Sequence, residues 1–113
     1  MEKNQQKVLG FEPNVAAMIC YVFGFVTGLV FFFGEKENKF VRFHAMQSIM
    51  TFGGIFAIRL VLAYVPMPWA FRGLLGGIIG LVTLVAWIAG IMKAKNGEMF
   101  KFPIVGDLAE QQI

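Results

Sequence analysis

A single cysteine, Cys20, offers no disulfide partner, and a single histidine, His44, offers no ligand pair at zincin or ferredoxin spacing. Charge is scarce: 15% of the 113 residues are Asp, Glu, Lys or Arg, against about 25% in soluble domains. A soluble chain this small leaves roughly a third of its surface in water, and this one lacks the polar residues to cover it. There is no low-complexity tract, no obvious repeat and no second soluble domain. These absences argue against a disulfide scaffold, a soluble globular monomer and a disordered chain. The net charge of +3 would suit nucleic acid. However, the ten Lys and Arg sit between and beside apolar runs, where membrane topology and anionic headgroups account for them, so no nucleic-acid partner is expected.

What the chain does have is hydrophobic residue, 58% of it, with 15% aromatic and a mean hydropathy of +0.68. Crossing the hydrocarbon core as a helix takes about 20 apolar residues. The first run, residues 15–33, is uncharged and that long. So is the third, 72–92, apart from Arg72 at its edge. The middle run, 43–65, is less clean, because it carries His44, Gln47, Ser48, Thr51 and Arg59 and stops before Pro66 and Pro68. The Pro-Met-Pro-Trp segment at 66–69 reads as a turn at the membrane surface. The first run exceeds a signal-peptide apolar core and has no small-x-small cleavage site after it. The expectation is an all-α polytopic integral membrane protein: one domain over 1–113, a three-transmembrane-helix bundle with an interfacial loop and a C-terminal tail, 93–113.

Three crossings put the termini on opposite sides. Lys36, Lys39, Arg42, Lys93, Lys95 and Lys101 then face Lys3, Lys7, Arg72 and Arg59. The positive-inside rule places the 34–42 loop and the C-terminus in the cytoplasm, with the protein in the cell membrane. Tyr64, Trp69 and Trp87 fall near the interfaces, as an aromatic belt requires.

Lipid tails are as apolar as leucine, so helices associate in a bilayer through close approach at small residues. Gly24 and Gly28 form such a pair in the first run, Gly53 and Ala57 in the second, and Gly73/Gly77 and Gly76/Gly80 in the third. The third-run stripe fits either packing inside one bundle or a homo-oligomer, and the oligomer is the expectation. On a helical wheel His44, Gln47, Ser48, Thr51 and Arg59 share an arc of about 120°. Polar groups are costly against lipid, so this arc faces other helices or water. It reads either as interhelical hydrogen bonding, with Arg59 reaching the nearer surface, or as the lining of a conduit.

Two further segments stand out. The loop EKENKFVRFHAMQS runs from Glu35 through Lys36, Asn38, Arg42 and Phe43 to Ser48, with charges alternating in sign and Phe40 and Phe43 suited to lie in lipid. The tail FKFPIVGDLAE contains Pro103 and Gly106, which break any long helix, and its apolar residues return it to the membrane surface. Asp107 or Glu110 is placed to pair with Lys36, Lys39 or Arg42. With the segment Asn14 to Tyr21, these residues resemble the Tic-twenty-like superfamily of small membrane proteins over nearly the whole chain, Asn14 to Glu110. That superfamily includes magnetosome membrane proteins of the MamF type and a membrane subunit of the chloroplast inner-envelope translocon. The resemblance implies an all-helical, self-associating membrane protein without known catalytic residues.

The remaining chemistry is thin. Ser48 and His44 are four apart, but no carboxylate is placed to orient the histidine. Glu35, Glu37, His44, Asp107 and Glu110 make no metal signature. The expected function is therefore a non-enzymatic, self-associating structural or assembly component of the membrane, with no cofactor and no metal. Its partners are the lipid bilayer, further copies of itself and other membrane proteins. The alternative is an oligomeric channel or translocation component whose conduit the middle run lines.

Overall fold

The computed structural model describes residues 7–113. Its elements are helical: α1 (Pro13–Val22), α2 (Phe25–Gly34), α3 (Lys39–Tyr64), α4 (Trp69–Lys95) and α5 (Val105–Gln111). The one extended feature among the described residues is an isolated bridge between Val8 and Phe11.

The first apolar run departs from expectation. Gly24 holds φ +65° and ψ −141°, a backbone region open to glycine and closed to side chains with a Cβ. The chain reverses there, so the expected span over 15–33 is two helices of ten residues each rather than one. They form a hairpin. The rings of Phe11 and Phe31, at its two feet, lie 6.2 Å apart, and a Cβ on Gly34 would meet the Leu9 side chain at 3.0 Å. Each helix is about 15 Å long, half of the roughly 30 Å that a crossing demands. Only α3 and α4, at 26 and 27 residues, are long and apolar enough to cross among the described residues. A three-span bundle needs the first run unbroken, and Gly24 breaks it.

Local chemistry sets the other boundaries. Asn38 caps α3 by accepting the Val41 N–H at 3.1 Å. Pro66 and Pro68 separate α3 from α4, as expected of a helix-breaking turn. Arg72 donates from Nη1 to Leu62 O (2.7 Å) and from Nη2 to Val65 O (2.8 Å), satisfying carbonyls at the end of α3. Gly97, at φ +76°, ends α4.

The core lies at the end of the molecule holding the hairpin feet, the α2–α3 loop and the tail. Helix α1 contributes Ala16, Ala17, Cys20 and Tyr21 to it, α3 contributes Val41, Phe43, Ala45 and Phe52, and the tail contributes Phe102, all buried. The hairpin tip reaches as far as Phe52 and Phe56 on α3 and Trp87 on α4. Beyond it, the far halves of α3 and α4 project with only each other for company. The molecule is accordingly long, 57 × 23 × 22 Å, with a radius of gyration of 15.3 Å against about 13 Å for a compact domain of this length.

A polar clamp around the helix break

A reversal inside an apolar run leaves backbone groups without helical partners, and apolar surroundings offer none. The polar face of α3 and one tryptophan of α4 supply them. Ser48 Oγ lies 2.6 Å from Cys20 O and 3.0 Å from Gly24 O, so its single proton serves the carbonyls flanking the break. Trp87 Nε1 donates to Val22 O at 3.3 Å. The Gly24 N–H returns to Tyr21 O at 3.2 Å.

Close approach makes those bonds possible. A Cβ on Gly28 would meet Ala45 O at 2.9 Å and Ser48 Oγ at 3.2 Å, so α2 crosses α3 backbone to backbone. A Cβ on Gly90 would lie 2.7 Å from the Tyr21 ring, so α4 meets α1 the same way.

One turn closer to the loop, His44 and Gln47 tie α1 to the tail. His44 Nε2 lies 2.8 Å from Glu98 O, which can only accept, so Nε2 carries the proton. In the neutral ring Nδ1 then accepts from the Tyr21 hydroxyl at 2.6 Å. That hydroxyl accepts in turn from Gln47 Nε2 at 3.0 Å. The second Nε2 hydrogen of Gln47 goes to Phe100 O (3.0 Å), and its Oε1 accepts the Phe102 N–H (2.9 Å). Every polar atom in this buried chain is used, the condition under which a buried network adds rigidity rather than cost.

The remaining singled-out residues divide. In the loop, Arg42 Nη1 donates to Phe32 O (2.8 Å) and Glu35 O (2.6 Å), and its guanidinium lies 4.2 Å from the Phe32 ring centroid. Arg42 thus closes the end of α2, and Glu35 Oε2 takes the Glu37 and Asn38 N–H groups. Phe43 is fully buried in protein rather than set in lipid. Lys36 lies over the Phe33 ring at 5.7 Å. In the tail, Pro103 O accepts the Val105 N–H at 2.7 Å across Ile104, a γ-turn with φ +68°. A Cβ on Gly106 would collide with Lys101 at 2.3 Å. Asp107 and Glu110 pair with Lys101, at 3.2 and 2.9 Å, and not with Lys36, Lys39 or Arg42 as expected. Those two bonds, Glu110 first, raise the Lys101 pKa above its usual 10.5.

Thr51 and Arg59 stand outside the clamp. The Thr51 hydroxyl is shielded without a partner, beside an apolar groove of about 580 Å³ that Val85, Ala89 and Phe100 also line. Arg59 lies in the projecting arm. Of the glycines, Gly24 makes the break and Gly28 the crossing, whereas Gly73, Gly76 and Gly77 have nothing within 4 Å of an added Cβ. Gly80 meets only Arg59, at 3.6 Å. Sequence reasoning missed Tyr21, Trp87 and Gly90 as members of the site. Tyr21 had one signal: a hydroxyl in an otherwise uncharged run needs a buried partner. Among the described residues no three His, Cys, Asp or Glu side chains converge as a metal site.

The sequence profile of the magnetosome magnetite crystal formation protein family, MamF_MmsF, matches residues 11–109. The chain is 45% identical over 103 residues to the UPF0132 membrane protein MJ1443 of Methanocaldococcus jannaschii, covering 91% of this chain and 90% of that one. It is 46% identical over 102 residues to a UPF0132 membrane protein of Archaeoglobus fulgidus, covering 90% and 96%. A second Methanocaldococcus jannaschii protein, UPF0132 membrane protein MJ1527, is 38% identical over 104 residues, 91% of this chain and 71% of its own length. No solved structure matches the chain.

Proposed function

The chain belongs to the magnetosome magnetite crystal formation protein family, and from that premise we propose a small, non-enzymatic integral membrane protein that self-associates as a structural or assembly component of the membrane. It crosses the bilayer twice, through α3 and α4, and carries α1–α2 as a re-entrant hairpin. The relatives from Methanocaldococcus jannaschii and Archaeoglobus fulgidus are named as membrane proteins, a setting they share with this chain and one that requires no mineral.

The observation that carries self-association is the outward small-residue face of α4. Gly73 and Gly77 stand open and exposed, while Gly28 and Gly90 are filled by neighbours within the chain and Gly76 faces the cleft toward α3. Backbone approach at small residues is what joins helices in lipid, so the open stripe fits the same helix of a second copy. Orientation follows from the hairpin. It brings Lys7 to the end that holds Lys36, Lys39, Arg42, Lys93, Lys95 and Lys101, and leaves only Arg59 and Arg72 toward the other end. Lys3 lies outside the described residues. The revised asymmetry supports a cytoplasmic N-terminus, loop and tail.

The alternative, a conduit of the kind the translocon resemblance suggests, has less support. His44, Gln47 and Ser48 commit their polar atoms to α1 and the tail of their own chain, leaving little of the arc to line a path.

Two measurements test the proposal. Cross-linking and mass measurement in native lipid are expected to find a discrete oligomer that Gly73→Leu with Gly77→Leu disrupts; an unchanged mass in that variant counts against α4 as the contact. In a Cys20→Ala background, Lys7→Cys, Lys36→Cys and Gln112→Cys should label from one side of intact vesicles and Met67→Cys from the other. Labelling of Lys7→Cys together with Met67→Cys would restore three crossings.

A further inference from the structure

We propose that Arg59 and Arg72 bind the phosphate of a phospholipid headgroup in the cleft between α3 and α4 at the turn end of the molecule. The cleft holds about 170 Å³ and is lined by both arginines together with Leu62, Met67, Gly76 and Ile79. Two arginines therefore line one small space.

No carboxylate among the described residues is paired with either of them. Residues 38–97, which span α3, the turn and α4, contain no aspartate or glutamate. The described carboxylates belong to the hairpin feet, the α2–α3 loop and the tail, at the opposite end. Arg72 is positioned by its bonds to Leu62 O and Val65 O, but carbonyls leave its net charge uncompensated. The hydrogen bond that Arg59 makes within the described chain is a long one, Nη2 to Gly76 O at 3.5 Å. The cleft is open beside Gly76, where an added Cβ would touch nothing within 4 Å.

An uncompensated cation on a lipid-facing helix is costly, and the cost falls when its side chain reaches the headgroup layer. Arg59 is five residues, about 8 Å, from the last residue of α3. The layer itself is marked by Tyr64 and Trp69, 86% and 87% exposed, on either side of the turn. The anion that a membrane presents at that depth is phosphate, whose oxygens match the paired donors of a guanidinium. Free phosphate has the same chemistry, but the cleft has apolar walls, Leu62, Met67 and Ile79, that suit the glycerol and acyl part of a lipid. The leaflet concerned rests on the two-crossing reading; binding itself does not.

The test uses the full chain in detergent micelles, which have no sides, so its failure leaves the crossing number untouched. Native mass spectrometry reads phosphatidylglycerol retained by the wild type, Arg59→Gln, Arg72→Gln and the distal control Lys93→Gln. Retention is expected to fall about tenfold in Arg59→Gln, the loss of one charge-assisted bond pair, and to hold in Lys93→Gln. Because Arg72 also caps α3, Arg59→Gln with unchanged circular dichroism is the deciding variant. Equal retention in Arg59→Gln and the wild type overturns the proposal. Complete displacement of the lipid by inorganic phosphate at equal concentration overturns the lipid as ligand, whereas displacement by a competing phospholipid and not by phosphate supports it.

Discussion

Gly90 on α4 and Tyr21 on α1 meet with no room for another atom: a methyl group at Gly90 would stand 2.7 Å from two carbons of the Tyr21 ring. The contact seats the α1–α2 hairpin against α4 and holds the Tyr21 hydroxyl where His44 and Gln47 reach it.

Replacing Gly90 by alanine is therefore expected to destabilise the fold by about 1–3 kcal/mol, the usual cost of forcing a methyl into a packed contact. Thermal unfolding in detergent checks it. Gly76→Ala, with nothing within 4 Å of the new methyl, should leave the unfolding temperature of the monomer unchanged.

Ser48→Ala removes the hydroxyl proton that serves Cys20 O and leaves a buried carbonyl unpaired, at about 1–3 kcal/mol. The hairpin should open more often. The readout is maleimide labelling of Cys20, which is buried in the folded chain: slow in the wild type and faster in Ser48→Ala. Equal rates would show that Ser48 does not hold the break.

Gln47→Leu cuts three bonds at once, those to Tyr21 Oη, Phe100 O and the Phe102 N–H. The tail should release while the hairpin stays, since Ser48 and Trp87 still hold it. Limited trypsin digestion is expected to cleave after Lys101 faster in this variant than in the wild type. Unchanged cleavage would mean that the γ-turn and α5 hold the tail unaided.

Alkali probes the outer fastening of the tail. Bonds to Glu110 and Asp107 raise the Lys101 pKa above 10.5, so the folded form holds this proton more tightly than the unfolded form. Its contribution is complete below pH 10.5 and is lost as pH rises through the higher folded value. A spin label at Leu108→Cys, in a Cys20→Ala background, should keep constant mobility from neutral pH to about 10 and gain mobility above. Lys101→Met should abolish that transition.

The middle and third helices were legible because long apolar stretches and a Pro-x-Pro interruption are local signals. Part of the polar arc of α3 was legible for the same reason: His44 and Gln47 share one network through Tyr21, Ser48 bonds separately to the carbonyls of the break, and Thr51 and Arg59 stand apart from both. The break at Gly24 was not. Glycine is common within membrane helices and pairs there as part of a packing stripe. Nothing local distinguishes a packing glycine from one at φ +65°; the difference lies in Ser48 and Trp87, which are 24 and 63 positions away. The pairing of Asp107 and Glu110 was misjudged for a related reason. Their partner Lys101 lies within the same tail, and only the γ-turn at Ile104 folds that tail back far enough for them to meet.

The hairpin also imposes an order on biogenesis. The side chains that receive its reversed backbone, Ser48 and Trp87, are both translated after it. A nascent chain paused near residue 40 therefore holds the hairpin sequence without the side chains that fix its break, and the reversal is completed only when the last quarter of the polypeptide brings Trp87.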